Sequence, residues 1–349
     1  KNLLFDVEER LPKDVNMRAT ITFWWIIVLL MHGYAKPRKS KKNKNNLKIY
    51  DNEISTVLTA YAVAYELCQE RFKMERWNCP IPSQIQHARS PLSLTSIYST
   101  ASKETSYVYS IVAASIAHHV MRACQMGRGE NCPCAVNNGK TASTCKGNLK
   151  HGFKRGKGIM RFLDYSNIKD GNRKEFNWKN IMAGFKVLKD DLPTVCRCYG
   201  VSGHCSTRVC SKSTPVSLKE TSLKLKELYK FAQKLNVNVT KSVSINNVHP
   251  KTRTVLQYAR NKTNLVYLDA SPDYCKPNKK LGIDGTLNRE CVHEDHVTCD
   301  GLCGSCGYRK HSYVRELKNA KCNCKFHWCC KVTCETCTQR KIYAKCASS

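Results

Sequence analysis

Residues 196–210 read CRCYGVSGHCSTRVC, and this stretch decides the fold. Cys196 and Cys198 stand one residue apart before a glycine-bearing segment, and Cys205 and Cys210 follow it. Two cysteines on a rising strand can pair with two on the returning one, closing a nested hairpin. The tip carries Gly200, Val201, Ser202 and Gly203. Glycines on both sides of the serine permit positive φ and remove side-chain bulk. The Ser202 hydroxyl is thereby displayed on a stiff, protruding loop. A lone Val-Ser-Gly is an ordinary turn, but four flanking cysteines make this one a fixed projection.

Cysteine is dense well beyond the hairpin, at 22 among 349 residues. Thiols at this density exclude an ordinary cytosolic enzyme, where they stay reduced and rarely accumulate. The even count suits eleven disulfides, although evenness alone is weak evidence. The charge is as unusual: 58 Lys plus Arg against 27 Asp plus Glu leave a formal net charge of +31. Such a chain calls for a polyanionic partner, whether nucleic acid, anionic membrane or sulfated glycan. Compartment decides among them.

The N-terminal region speaks to compartment. From Met17 a basic Arg18 precedes an apolar core, ITFWWIIVLLM at 21–31, and then Gly33-Tyr34-Ala35. A short apolar core followed by small-x-small is the pattern of a secretory signal peptide, here 17–35. A membrane anchor is the alternative, but it needs roughly 20 apolar residues. Residues 1–16 are then an upstream extension. Asn238-Val239-Thr240 and Asn261-Lys262-Thr263 are glycosylation sequons that agree with secretion. The protein is expected in the extracellular space and matrix.

Outward from the hairpin the chain divides in two. Ten cysteines are spread through 36–262, and twelve crowd into 275–346. The first part reads as mainly helical. Tyr107, Val108, Ile111, Val112, Ile116, Val120 and Ala123 recur at helical spacing within Glu104–Cys124. Thr56–Phe72 and Trp178–Leu188 are further helices, and Leu218, Leu225, Leu228, Ala232 and Leu235 form an apolar stripe. The second part is too poor in apolar periodicity to fold by burial alone, so short strands and long loops pinned by disulfides are expected. Asn264–Tyr274 ends in a Ser-Pro turn signal and reads as a hinge, the linker 263–274.

At these residues the chain resembles the Wnt family. CRCYGVSGHC is close to the family's CKCHGVSGSC, departing at Tyr199 and His204, and Ser211 stands where many members have Trp. Arg76-Trp77-Asn78-Cys79, Glu104-Thr105 through Arg122-Ala123-Cys124, Ser271-Pro272-Asp273-Tyr274-Cys275 and CNCKFHWCC at 322–330 match other family segments. The spacing of Cys299, Cys303 and Cys306 suggests the Wnt-eight class. The resemblance implies a disulfide map that spacing cannot give. It pairs Cys68–Cys79, Cys124–Cys132, Cys134–Cys145, Cys196–Cys210 and Cys198–Cys205 in the first part. In the second it pairs Cys275–Cys306, Cys291–Cys299, Cys303–Cys346, Cys322–Cys337, Cys324–Cys334 and Cys329–Cys330. The last pair is physically awkward, because adjacent trans Cα atoms sit about 3.8 Å apart and ordinary disulfides span roughly 4.4–6.8 Å.

The implied fold is α+β and disulfide-rich: a mainly helical N-terminal domain (36–262) with a protruding lipid-bearing hairpin, and a small cystine-knot-like C-terminal domain of strands and loops (275–349). The hairpin 196–210 would be a lipidated thumb and 322–337 an index finger. The resemblance implies that a Porcupine-type acyltransferase esterifies Ser202 with a mono-unsaturated 16-carbon chain. A Wntless-type carrier would export the product. The thumb, through Val201 and the acylated Ser202, would enter a groove of a Frizzled cysteine-rich domain. At ~0.8 kcal/mol per buried CH₂ that chain is worth on the order of 10 kcal/mol. The finger, with Phe326, Trp328, Cys329, Cys330 and Val332, would make a second contact, aromatics on a rigid tip being common anchors. A co-receptor related to the low-density-lipoprotein receptor and heparan sulfate proteoglycans complete the implied partners. Lys36–Lys44 and Lys146, Lys150, Lys154, Arg155 and Lys157 are the densest basic patches.

Other classes fit less well. A secreted, basic, glycan-binding protein without receptor-agonist activity is the alternative reading. A zinc-binding nucleic-acid protein is suggested by CxxC at 303–306 and 334–337, but the spacings are irregular and a signal peptide precedes them. Neither metal nor cofactor is expected. GVSGH is not the GxSxG of a hydrolase, and His293-Glu-Asp-His296 is one residue short of HExxH. Ser202 is therefore read as a substrate and the protein as no enzyme. His118-His119, inside a helix, reads as structural or solvent-facing.

Overall fold

The computed structural model describes residues 51–80, 100–129, 131–134, 144–165, 171–201, 204–235, 237–238, 255–256, 264–292, 296–328 and 330–348. The signal-peptide, extension and Lys36–Lys44 readings lie outside them, as do Ser202, Gly203, Asn261, Cys329 and the side chain of Asn238. No helix among the described residues is long and apolar enough to cross a membrane.

The first part is built on helices α1 (Asp51–Phe72), α2 (Lys103–Gln125), α3 (Lys146–Tyr165), α4 (Gly171–Asp190) and α5 (Lys219–Lys230). Helix α2 is the axle. It starts where the Ser102 hydroxyl accepts the Thr105 N–H at 3.3 Å, with Glu104 in the first turn facing the positive end of the helix dipole. Its residues are buried on nearly every side because α1, α3, α4 and α5 all pack on it. Small side chains at Ser110, Ala113, Ala114 and Ala117 let those neighbours come close. The closest is α4: a Cβ on Gly184 would stand 2.0 Å from the Ser110 carbonyl oxygen.

Aromatic rings fill the end of this core. Phe72 packs edge-on against Trp77, Tyr107 and Tyr229, each with centroids within 4.9 Å. The Lys226 ammonium lies 3.4 Å from the Phe72 centroid and pairs with Glu75. Buried Glu104 accepts hydrogen bonds from the Tyr229 hydroxyl at 3.0 Å and from the Ser271 hydroxyl at 2.8 Å. Arg155 pairs with Glu53 and so ties α3 to α1. That contact removes Arg155 from the basic surface patch in which its sequence neighbours had placed it.

The segment read as a hinge is packed into the helical part. Leu265 and Val266 are fully buried. Strand β6 (Val266–Tyr267) runs parallel to β3 (Gln233–Lys234), while β4 (Val237–Asn238) pairs antiparallel with β5 (Val255–Leu256). Asn180 of α4 binds the Val266 backbone as another strand would, accepting its N–H at 3.0 Å and donating to its carbonyl at 3.1 Å. Leu268 N–H reaches Ala101 O at 2.8 Å.

The cysteine-rich part has a core of Cys291, Cys299, Leu302, Cys303, Ala344 and Cys346. Helix α6 (His296–Leu302) covers a sheet of order β7-β9-β8, with β7 Glu290–Val292, β8 Arg309–His327 and β9 Lys331–Ala347. Short strands were expected, but β8 runs 19 residues and β9 runs 17. At about 3.3 Å per residue this hairpin is roughly 60 Å long. Beyond its base, where Ala344 and Cys346 are buried, its described residues are largely exposed on both faces, so its sequence lacks the apolar-polar alternation by which a half-buried strand is recognised. Cross-strand pairs replace a core: Tyr313 stacks on Tyr343 at 6.1 Å, and Arg340 pairs with Glu316.

Among the described residues ten disulfides are formed, Cys68–Cys79, Cys124–Cys132, Cys134–Cys145, Cys196–Cys210, Cys198–Cys205, Cys275–Cys306, Cys291–Cys299, Cys303–Cys346, Cys322–Cys337 and Cys324–Cys334. The expected eleventh, Cys329–Cys330, rests on Cys329, which lies outside the described residues, while Cys330 is an exposed free cysteine.

Candidate functional site

The thumb is strand β1 (Thr194–Tyr199) against β2 (Thr207–Lys212), antiparallel and in continuous register. Cys196 stands directly opposite Cys210, with Cα atoms 3.9 Å apart, and the two are bonded. Cys198–Cys205 closes the hairpin again nearer the tip, at a Cα distance of 4.6 Å. Directly opposed residues share a face, so the Cys196–Cys210 bond marks one face. Val195, Arg197, Tyr199 and Val209 take the other. Val195, Tyr199 and Val209 are exposed there, a run of apolar surface leading toward the tip that the cysteine pattern had not revealed. The signal was available in the alternation of VCRCY once its strand was known.

At the tip Val201 is 88% exposed. His204 N–H returns to the Val201 carbonyl at 3.2 Å. Gly200 is needed for space and does not have a positive φ. A Cβ there would lie 2.0 Å from His204 O and 2.6 Å from Ser206 Oγ. Ser206 is committed locally, donating its hydroxyl to Tyr199 O at 2.9 Å.

The base of the thumb is anchored in the helical core. Ser213 N–H bonds Pro193 O at 2.8 Å, and Lys212 Nζ bonds Leu192 O at 2.9 Å. Beyond β2 the Pro215 carbonyl lies 2.9 Å from Nε2 of His118 on α2. Burial pushes His118 down to a pKa of about 3, and His119 beside it acts in the same direction. His119, also lowered by burial, lies within 2.8 Å of Ser115 O through Nδ1. The structural reading of this pair holds, and His118 gains a specific task.

The finger is the far end of β8 and β9. Phe326 faces Val332, and His327 faces Lys331, across its last rungs. Trp328 is 95% exposed and Phe326 70%. Cys322–Cys337 and Cys324–Cys334 staple the strands just below, beside a register shift between Cys322 and Lys325. Cys330 holds φ at 76°, in the left-handed region. Large apolar rings are thus held in solvent by covalent bonds, an arrangement that makes sense as a contact surface.

Among the described residues, Cys124, Cys132 and His151 are the one group spaced as metal ligands. Both sulfurs are consumed by their mutual disulfide, so the group is not a metal centre.

The description of the Wnt family matches residues 36–347. The chain is 33% identical over 288 residues to Protein Wnt-16 of Bos taurus, covering 77% of this chain and 75% of that one. It is 33% identical over 301 residues to Protein Wnt-8b of Mus musculus, covering 82% of each. A solved structure of human WLS in complex with WNT8A matches with a TM-score of 0.61 and 29% identity, covering 87% of this chain and 97% of that one.

Proposed function

The chain belongs to the Wnt family of signalling ligands, which are not enzymes, and from that premise we propose that it is a secreted ligand acylated on Ser202. The observation that carries this reading is the twice-bonded thumb, which holds Val201 exposed at its tip, next in sequence to Ser202. An acyltransferase of the Porcupine type would esterify the Ser202 hydroxyl with a 16-carbon mono-unsaturated chain. That chain, flanked by Val201 and by the apolar face of Tyr199 and Val209, would enter a groove on a Frizzled cysteine-rich domain. Burial of its methylenes supplies the larger part of the affinity, on the order of 10 kcal/mol. The finger, through Phe326, Trp328 and Val332, would clamp a second region of the same domain. A low-density-lipoprotein-receptor-related co-receptor would complete the signalling assembly, and glycans would sit on Asn238 and Asn261.

A free acyl chain of this length requires a carrier. The likeness to a complex containing human WLS supports a Wntless-type partner during export. Intact mass of the secreted protein, before and after mild ester hydrolysis, tests the whole reading. The parent should lose one acyl group, and Ser202→Ala should lack it from the start. Ser206→Ala and Ser211→Ala should keep it. An acyl ester on Ser202→Ala would overturn the assignment.

A further inference from the structure

The helical part and the cysteine-rich part are joined by the chain at 264–275 and, separately, by the side chain of Arg289. Arg289 stands just before β7, the strand that pairs with the base of β9. Its guanidinium opens as a fork: Nη1 donates to Arg76 O at 2.7 Å and Nη2 to Lys73 O at 2.9 Å. Both carbonyls belong to the turn after α1, which ends at Phe72 with the negative end of its dipole. The Cys68–Cys79 disulfide closes that turn, and Glu75 N–H bonds Phe72 O at 3.0 Å, so the two acceptors are held in place. Met74 of the same turn packs on the small core that contains Cys291 and Cys303.

The backbone of Arg289 is fixed from the other side. Its N–H bonds Thr286 O at 3.1 Å, and its carbonyl accepts the Cys346 N–H at 3.0 Å. Asn288 N–H reaches Cys346 O at 2.9 Å. Cys346 lies near the end of β9 and is bonded to Cys303. Arg289 thus grips the end of α1 with its side chain and the root of the long hairpin with its backbone. Arginine suits the task because its donors form a rigid planar fork, whereas a lysine ammonium is a point charge on a flexible stem.

A connection at one place leaves a hinge, and a second contact away from it removes the rotation. The hairpin magnifies any rotation that remains: a swing of about 10° moves the end of a roughly 60 Å lever by about 10 Å. Phe326 and Trp328 ride at the end of that lever. The thumb is mounted on α2, against which α1 packs. We infer that Arg289 is a positioning residue, whose fork fixes the finger relative to the thumb so that both reach one receptor domain together. The inference deepens the two-contact reading above and rests on it. Two contacts on a rigid frame act at high effective concentration, and loosening the frame weakens the pair without altering either contact.

The test uses the full acylated chain, with nitroxide labels on non-natural residues at exposed positions 208 of the thumb and 331 of the finger. Pulsed electron resonance should give one narrow distance in the parent and a broad distribution in Arg289→Ala. Affinity for a Frizzled cysteine-rich domain should fall about 10-fold in Arg289→Ala. The same change made on top of Trp328→Ala should cost less than about twofold, because no finger contact is left to misplace. A residue with a merely structural role would lower the melting temperature and cost the same affinity in both backgrounds. An unchanged distance distribution, or equal losses in the two backgrounds, would overturn the positioning role. A broadened distribution with parent-like affinity in both Arg289→Ala and Trp328→Ala would uphold Arg289 as the strut and sink the two-contact reading instead.

Discussion

Gly184 passes Ser110 so closely that a Cβ built on it would stand 2.0 Å from the Ser110 carbonyl oxygen and 2.7 Å from its carbon. Both obstacles are backbone of the central helix, which cannot rotate aside. Gly184→Ala must push α4 away from α2, opening the core on which the thumb is mounted. A loss of about 3 kcal/mol or more is expected, at the upper end for overpacking. Gly152→Ala is the comparison: its first obstacle, Met121 Cγ at 2.3 Å, belongs to a flexible side chain. Thermal melts of the two variants should place Gly184→Ala well below Gly152→Ala, and its secreted yield should fall with it.

Trp77 and Trp328 should behave oppositely. Trp77 is buried against Phe72 and its replacement by Ala should cost about 3–5 kcal/mol. Trp328 sits in solvent at the finger tip, so Trp328→Ala should leave stability within about 0.5 kcal/mol. Its secretion and acylation should match the parent, while affinity for a Frizzled cysteine-rich domain falls. A Trp328→Ala protein retained in the cell would show that the tip is needed for folding and not for contact.

Acid should loosen the anchor of the thumb. Burial holds the folded pKa of His118 at about 3, against about 6.5 in an unfolded chain. Between those values the unfolded state binds a proton that the folded state refuses. Stability therefore falls as pH drops below about 6.5, by up to about 1.4 kcal/mol per unit from this residue. His119 is shifted in the same direction and adds to the slope. His118→Gln keeps a donor for Pro215 O but does not titrate, so its denaturation midpoint should vary less between pH 7 and pH 5. An identical pH profile for variant and parent would assign the acid sensitivity elsewhere.

How much of this was legible in the sequence follows from burial. Glu104–Cys124 was readable nearly to its ends because its large apolar residues recur at helical spacing while small Ser and Ala fill the other positions, and α2 spans Lys103–Gln125. The stripe from Leu218 to Leu235 also led to α5, although Ala232 and Leu235 lie past its end at Lys230. Helix α3 was missed as a helix, since Gly147, Gly152, Gly156 and Gly158 with so many lysines resemble a loop. Gly152 and Gly156 are where α3 comes close to Met121 and Ala117 of α2, a Cβ on Gly156 standing 3.2 Å from the Ala117 Cα. That reason lives in the tertiary contact and not in local propensity. The same holds for 264–274, whose Ser-Pro turn suggested a hinge while Asn180 and Glu104 hold it from elements far away in sequence. The hairpin of β8 and β9 was hidden for the opposite cause, having no buried face beyond its base at Ala344 and Cys346 to imprint a pattern. At the site, the cysteines announced the thumb and finger, but the apolar face of Val195, Tyr199 and Val209 needed the strand register to be seen.

Cys330 carries the last prediction, because here family resemblance and geometry disagree. The resemblance pairs it with its neighbour Cys329, whereas the structure leaves it free and exposed at φ 76°. A bond between neighbours must bridge Cα atoms about 3.8 Å apart, below the ordinary disulfide span of roughly 4.4–6.8 Å. An exposed thiol, by contrast, reacts with alkylating reagents as far as its thiolate is populated. Folded protein treated with iodoacetamide, without reductant, should therefore take up label on Cys330, and the twenty cysteines of the ten formed disulfides should take up none. Peptide mapping locates the label. If Cys330 stays unlabelled until reductant is added, the neighbouring pair is closed in solution. The finger tip would then be stiffened by a bond that the backbone accommodates at Cys330. If it labels at once, Phe326 and Val332 owe their rigidity to Cys322–Cys337 and Cys324–Cys334, and Cys324→Ser with Cys334→Ser should weaken the finger's share of receptor affinity.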